Sequence, residues 1–223
     1  MFSHFTETRS CKGTRFPSRV GWLRRAMERA IAFVAPYCDI VERLALVPPA
    51  AQVRGVFFRN VIAQLERSGR GHLAAYRDFF PNEKHSALAF YPISDFLIRM
   101  ACAGALVTSP EKVHEGMFAI CKSNAQAFIE TMLGRMMLRM LSRDPVRLCE
   151  QGLAARRQSV TYGHWKIRRP AERVLEMVYE NEYWWIESAL AGAAQGTFEG
   201  CGIRATLETT LVDRFNGSTF VRW

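Results

Sequence analysis

The amino-acid sequence predicts an α+β fold, an N-terminal helical bundle followed by a C-terminal antiparallel sheet with one helix packed across it. Three observations carry this expectation. Apolar residues recur at helical spacing through most of residues 19–155. Stretches rich in Val, Tyr and Trp begin after Ala155. Near the C-terminus, Asn216-Gly217 separates two short runs, and that pair suits the left-handed positions of a tight hairpin.

The elements follow in order. Residues 1–18 are polar, contain Gly13 and Pro17, and read as a loose leader. Arg19–Ala35 puts Trp22, Leu23, Ala26, Met27, Ala30, Ile31 and Val34 on one helical face, with Pro36 closing it. Residues 1–40 are thus expected to be a leader and amphipathic helix, and residues 41–223 a single α+β domain. Asp39–Val47 ends at Pro48-Pro49, which forces an extended turn. Ala50–Glu66 presents Val53, Val56, Phe57, Val61, Ile62 and Leu65 as a second helix; Arg67–Gly71 is a turn, and His72–Phe80 a short amphipathic element. Pro92–Leu106 is a third helix with proline in its first turn, and Pro110–Cys121 follows with Ser109 as cap.

The longest stripe runs from Ala125 to Leu141, through Phe128, Ile129, Met132, Leu133, Met136, Met137 and Met140. Asn124 is its expected N-cap, and Asp144-Pro145 stops it. Beyond it, Val146–Ala155 reads as a short helix, and Arg157–Trp165 and Glu172–Tyr179 as strands. Tyr183–Gln195 is an apolar helix with its glycines at 196–202, and Ile203–Asp213 and Thr219–Trp223 form the last hairpin.

Composition excludes several classes. At 223 residues and 49% hydrophobic, the chain can bury a sizeable core. No apolar run approaches the roughly 18 residues of a membrane span. The net charge of +9 is carried almost wholly by arginine and permits an anionic membrane or nucleic acid as partner. Apart from Arg24-Arg25, Arg156-Arg157 and Arg168-Arg169 the arginines are scattered, and no nucleic-acid motif accompanies them. The cysteines Cys11, Cys38, Cys102, Cys121, Cys149 and Cys201 lack zinc-site spacing, and Met1–Ser10 lacks the apolar core of a secretory signal. Reduced, buried thiols in a cytoplasmic protein are the expectation.

Three stretches carry a resemblance. PPAAQVRGVFFRNV, the run TMLGRMMLRMLSRDPVRLCEQG, and the tail with Tyr162-Gly163, Cys201-Gly202-Ile203 and Val221-Arg222-Trp223 resemble a group of uncharacterised proteins of about this length found in myxobacteria. The likeness covers roughly Leu46 to Trp223 and implies no activity. A more distant likeness is to the fold of haem nitric-oxide binding domains, four-vinyl-reductase sensors and Bet3-type transport-particle adaptors. The Tyr-x-Ser-x-Arg run with which haem nitric-oxide domains grip haem propionates is not evident; Tyr91-Pro92-Ile93-Ser94 does not supply it.

Candidate chemistry is sparse. The five histidines are isolated; His114, ahead of the long stripe, is the nominee for an axial haem ligand, and a surface or capping role is the commoner one. Met100, Met117, Met132, Met136, Met137 and Met140 could line an adaptable cavity, although core filling is the ordinary use. Tyr183-Trp184-Trp185 could stack a flat ligand or simply pack helix on sheet. There is no Gly-x-Ser-x-Gly elbow, phosphate loop or dinucleotide fingerprint, so an enzyme is the least supported class. The expected function is a non-enzymatic sensory or adaptor domain without a cofactor. It would bind a small apolar ligand or a protein partner and self-associate as a homodimer. The alternative is a haem-based gas sensor using His114, and the weaker alternative a basic surface recruiting anionic membrane or nucleic acid.

Overall fold

A computed structural model describes residues 19–81, 84–132, 134–136 and 144–223, without the side chains of residues 19–24 and 70. The helical part comprises α1 (Arg19–Val34), α2 (Ile40–Leu46), α3 (Val56–Ser68), α4 (Arg70–Phe79), α5 (Ile93–Val107) and α6 (Val113–Glu130). A two-stranded ribbon is inserted among them, with β1 (Gln52–Arg54) antiparallel to β2 (Phe90–Pro92). Then come α7 (Pro145–Ser159), β3 (His164–Ala171), β4 (Val174–Glu180), a π-helical turn at Ile186–Leu190 that runs into α8 (Ala191–Gly200), β5 (Thr206–Leu211) and β6 (Gly217–Arg222). Strands β3–β6 form one antiparallel sheet in the order β3-β4-β6-β5. The α+β plan expected from the sequence is the plan observed.

Helix α5 is the most deeply buried element, with Ile93 and the whole run Phe96–Ala105 enclosed. That accords with a sequence apolar on nearly every side, its charged residues Asp95 and Arg99 paired one turn apart. Helix α6 crosses it where two glycines meet: a Cβ on Gly116 would lie 2.0 Å from the Gly104 carbonyl oxygen. On its other side α6 takes α8, where Gly192 and Gly196 sit against the backbone of Phe118 and Lys122. Four glycines thus bring three helices into backbone contact. Helix α1 belongs to the same core through Ala30 and Val34, which have no exposed surface.

The sheet contributes one face. Along β4 burial alternates, with Leu175, Met177 and Tyr179 inward and Glu176, Val178 and Glu180 turned away. At the hairpin between β5 and β6, Asp213 Oδ1 accepts from the backbone of Phe215 and Asn216, and Gly217 opens β6. The hairpin expected from the sequence is present, but its loop is residues 212–216: Gly217 already pairs with Leu211, and neither Asn216 nor Gly217 takes the left-handed conformation.

Several boundaries differ from expectation. Helix α3 starts at Val56 rather than Ala50, because Gln52–Arg54 pairs with Phe90–Pro92 as a ribbon instead. Arg67–Gly71 shrinks to Gly69, whose φ of 140° ends α3 and starts α4. Ser123 and Asn124 are interior to α6, so Asn124 caps nothing; the break falls at Thr131, which adopts an extended ψ of 160°. The stripe expected as one helix over Ala125–Leu141 is therefore interrupted, and its residues Leu133 and 137–141 lie outside the described residues. Helix α7 continues to Ser159, so the strand expected at Arg157–Trp165 begins only at His164. Asp144 is the cap of α7, accepting from Val146 N at 2.9 Å. Asp144→Ala is expected to cost about 1 kcal/mol of stability, measured by chemical denaturation.

Candidate functional site

Between the helical layer and the sheet lies a cavity of about 390 Å³. Its aromatic wall comes from three directions. Trp184, just ahead of the π-helical turn, stacks on Phe96 of α5 at 4.8 Å and meets Phe57 of α3 edge-on at 5.1 Å. From the sheet, Trp165 stands edge-on to Tyr179 at 5.1 Å, and both line the space. The opposite walls are small: Gly152, Ala155 and Ser159 on α7 face the same space as Ala193, Ala194 and Thr197 on α8. Close-packed interiors leave few voids, and one this size results where two helices present short side chains to a rigid aromatic wall. It falls in the range of small-molecule pockets.

Two thiols, Cys121 and Cys149, also line it. Burial pushes each up to about 12, so both stay protonated at neutral pH. Among the described residues the lining has one charged side chain, Arg156. Its guanidinium donates Nε at 3.0 Å and Nη2 to Oε2 of Glu182, whose side chain is fully enclosed. Glu182 accepts further bonds from Trp165 Nε1 at 2.8 Å and Trp184 N at 3.1 Å. The rings of Tyr162 and Trp165 flank the guanidinium at 4.8 and 5.0 Å. Tyr162 itself is held well above the ordinary tyrosine pKa, by burial first and by the charge of Glu182 second.

A second polar hub supports the wall from behind. Asp39, ahead of α2, accepts from Arg43 Nε, Trp185 Nε1 and Arg214 Nε. Arg43 is buried against the Trp185 ring and donates to the carbonyls of Tyr183 and Trp184. Burial alone would raise the Asp39 pKa, but the adjacent Arg43 charge and the three donors together hold it below its ordinary value. Because the folded pKa is depressed, the stabilisation is present above the unfolded value of about 3.9 and is lost as pH falls through the folded one. Asp39→Asn should therefore lower stability at neutral pH and flatten its fall in acid, as read from denaturation midpoints across that range.

The sequence-nominated His114 lies elsewhere. It sits in the first turn of α6 with its side chain 40% exposed, Nδ1 3.3 Å from Ser188 Oγ and 3.6 Å from Glu187 Oε1. It does not line the cavity, and no histidine does among the described residues. Of the methionines, Met100 lines the cavity and Met117 is core, whereas Met132 and Met136 are 79% and 50% exposed; Met137 and Met140 lie outside the described residues. Of Tyr183-Trp184-Trp185, Trp184 forms cavity wall and Trp185 is buried behind it. Arg156 and Glu182, the polar core of the site, were not singled out from sequence. They are 26 positions apart, and only the fold brings them together. No group of three or more potential metal ligands occurs among the described residues, and no described helix is long and apolar enough to cross a membrane.

The fold has counterparts among solved structures. An H-NOX protein from K. algicida in its Fe(II) unliganded state is 12% identical, with a TM-score of 0.59 over 76% of this chain and 95% of that one. An H-NOX protein variant from T. Tengcongensis is 14% identical, with a TM-score of 0.52 over 76% and 96% of the two chains. A further H-NOX family member, studied for haem distortion, is 15% identical, with a TM-score of 0.54 over 76% and 94%. At such identities the likeness establishes the fold alone. No curated protein matches the chain in sequence. A family model does, over residues 47–220, and the chain belongs to that family, the proteins of unknown function designated DUF2378.

Proposed function

We propose that this chain is a sensory domain that holds a small, apolar molecule in the cavity between its helices and its sheet. The observation that carries the reading is the cavity itself, walled by Phe57, Phe96, Trp165, Tyr179 and Trp184 and left open by the small residues of α7 and α8. The H-NOX-like fold supports it by analogy. Native mass spectrometry of the freshly purified 25.4 kDa chain should reveal a retained component of small mass. Ala155→Phe projects a ring into the space and should abolish that component while the chain stays folded. A retained ligand unaffected by Ala155→Phe would place it elsewhere.

A haem-based form of the sensor is the second reading, favoured by the Fe(II) and haem states of the structural neighbours. The cavity lining does not match a histidine-ligated haem: it has no histidine among the described residues, its thiols are protonated, and its one arginine is committed to Glu182. A Soret band in purified protein that disappears in His114→Ala would establish this second reading, with His114 as ligand at another place; a colourless protein would dismiss it.

Self-association is part of the proposal. Met132 and Met136, just past the end of α6, expose 79% and 50% of their surface, and Phe128, 47% exposed, also lines the cavity. Large apolar side chains exposed along one short stretch mark a contact surface. Met132→Glu should weaken a dimer seen by sedimentation.

A further inference from the structure

We infer that the ligand of this cavity is uncharged, an apolar and largely aromatic molecule rather than an acid. The inference rests on the reading of the cavity as a ligand site and adds the ligand's charge. A protein that binds an anion in an apolar space needs a cation not already neutralised there. Here the single candidate is Arg156, the one charged side chain among the described residues of the lining. Two of its nitrogens are given to Glu182 Oε2, and Glu182 is fully enclosed and accepts from Trp165 Nε1 and Trp184 N as well. With Tyr162 and Trp165 stacked along it, the guanidinium is held in that pairing. The one charged group of the lining and its partner therefore sum to zero.

The competing possibility is an acid that reaches Arg156 Nη1, which completes no hydrogen bond among the described residues. Charge decides against it. A carboxylate at Nη1 is attracted by Arg156 and repelled by Glu182 on the other side of the same guanidinium, and in one low-dielectric space the two largely cancel. What remains is the cost of stripping the acid of its water, offset only by neutral donors of the lining such as Asn60, Asn124 and Thr197 and by no unneutralised cation. A neutral molecule incurs neither term and gains the apolar contact of Phe57, Phe96 and Trp184. Haem, which carries two propionates, falls on the disfavoured side of this comparison.

The test uses the full chain and two probes of one shape, acetylnaphthalene and naphthoate substituted at the same ring position, with affinities measured by calorimetry at neutral pH. Acetylnaphthalene should bind at least about tenfold more tightly, the discrimination expected of one uncompensated like charge. Naphthoate should gain affinity as pH is lowered toward its own pKa, while acetylnaphthalene does not change. Glu182→Gln releases the Arg156 charge and should narrow the gap by about tenfold at neutral pH. If that variant does not fold, the pH series on the native chain decides alone. Naphthoate binding as tightly as acetylnaphthalene at neutral pH would overturn the neutral-ligand inference and leave the cavity reading standing. Binding of neither probe would overturn the cavity as a ligand site, a distinguishable failure.

Discussion

Glu182→Ala is expected to cost about 3–5 kcal/mol of stability, the range for removing one partner of an enclosed ion pair. The carboxylate has no exposed surface and collects Arg156, Trp165 Nε1 and the Trp184 backbone amide, tying α7 to the sheet and to the chain ahead of α8. Deleting it leaves a guanidinium in an apolar wall and two donors without acceptors. The penalty comes mainly from the stranded charge, and replacement of both partners tests that. Arg156→Met with Glu182→Leu should recover most of the loss, because two charges then need not be desolvated. Urea denaturation of the two variants gives the comparison. A cost below about 1 kcal/mol for Glu182→Ala would mean that the pair behaves as a surface salt bridge, contrary to its burial.

The second large effect is expected at the helix crossings. Gly116→Val should cost about 3 kcal/mol or more, because the first side-chain carbon already falls 2.0 Å from Gly104 O, and that obstacle is backbone. Gly196→Ala meets Lys122 O at 2.1 Å and should act in the same direction. Gly71→Ala is the control. It lies in α4 with nothing within 4 Å of the added methyl, and helix propensity should make it stabilising by roughly 0.5–1 kcal/mol. Thermal unfolding of the three variants separates steric from conformational causes. Equal destabilisation at Gly71 and Gly116 would refute the backbone-contact account.

The glycines also explain why the helical stripe most prominent in sequence is not the organising element of the fold. Ala125–Leu141 stands out by its density of apolar residues, yet Met132 and Met136 are exposed, Phe128 lines the cavity half-exposed, and the helix breaks at Thr131. The element around which α5 and α8 pack is the earlier part of α6, where Gly116, Met117, Ile120 and Cys121 are buried. Hydropathy weights a glycine near zero, so a helix face whose value lies in what it lacks is invisible to an apolar stripe. The ribbon β1–β2 was missed for a related reason. Gln52–Arg54 alone is too short to show a period of two, and its partner lies 38 positions away at Phe90–Pro92.

His114 shows the same limit at the site. Local sequence marked it as an isolated imidazole near a long helix, and the fold gives it Ser188 and Glu187 for neighbours, outside the cavity. Trp184 is legible as part of an aromatic cluster and is buried core, but that it also walls a cavity depends on the small faces of α7 and α8 opposite it.

What the sequence by itself determined is the α+β plan: helices at a period of 3.6, strands rich in Val, Tyr and Trp after them, a closing hairpin, and the helix stop at Pro36. These are local, set by neighbours within a few residues, so one chain suffices to read them. The tertiary structure alone decided the cavity, the Arg156–Glu182 pair within its wall, and the glycine crossings that fix the helices around it. Each depends on groups from distant elements meeting at atomic distance. A single sequence carries the propensity of each residue, but not the identity of the residue it will face.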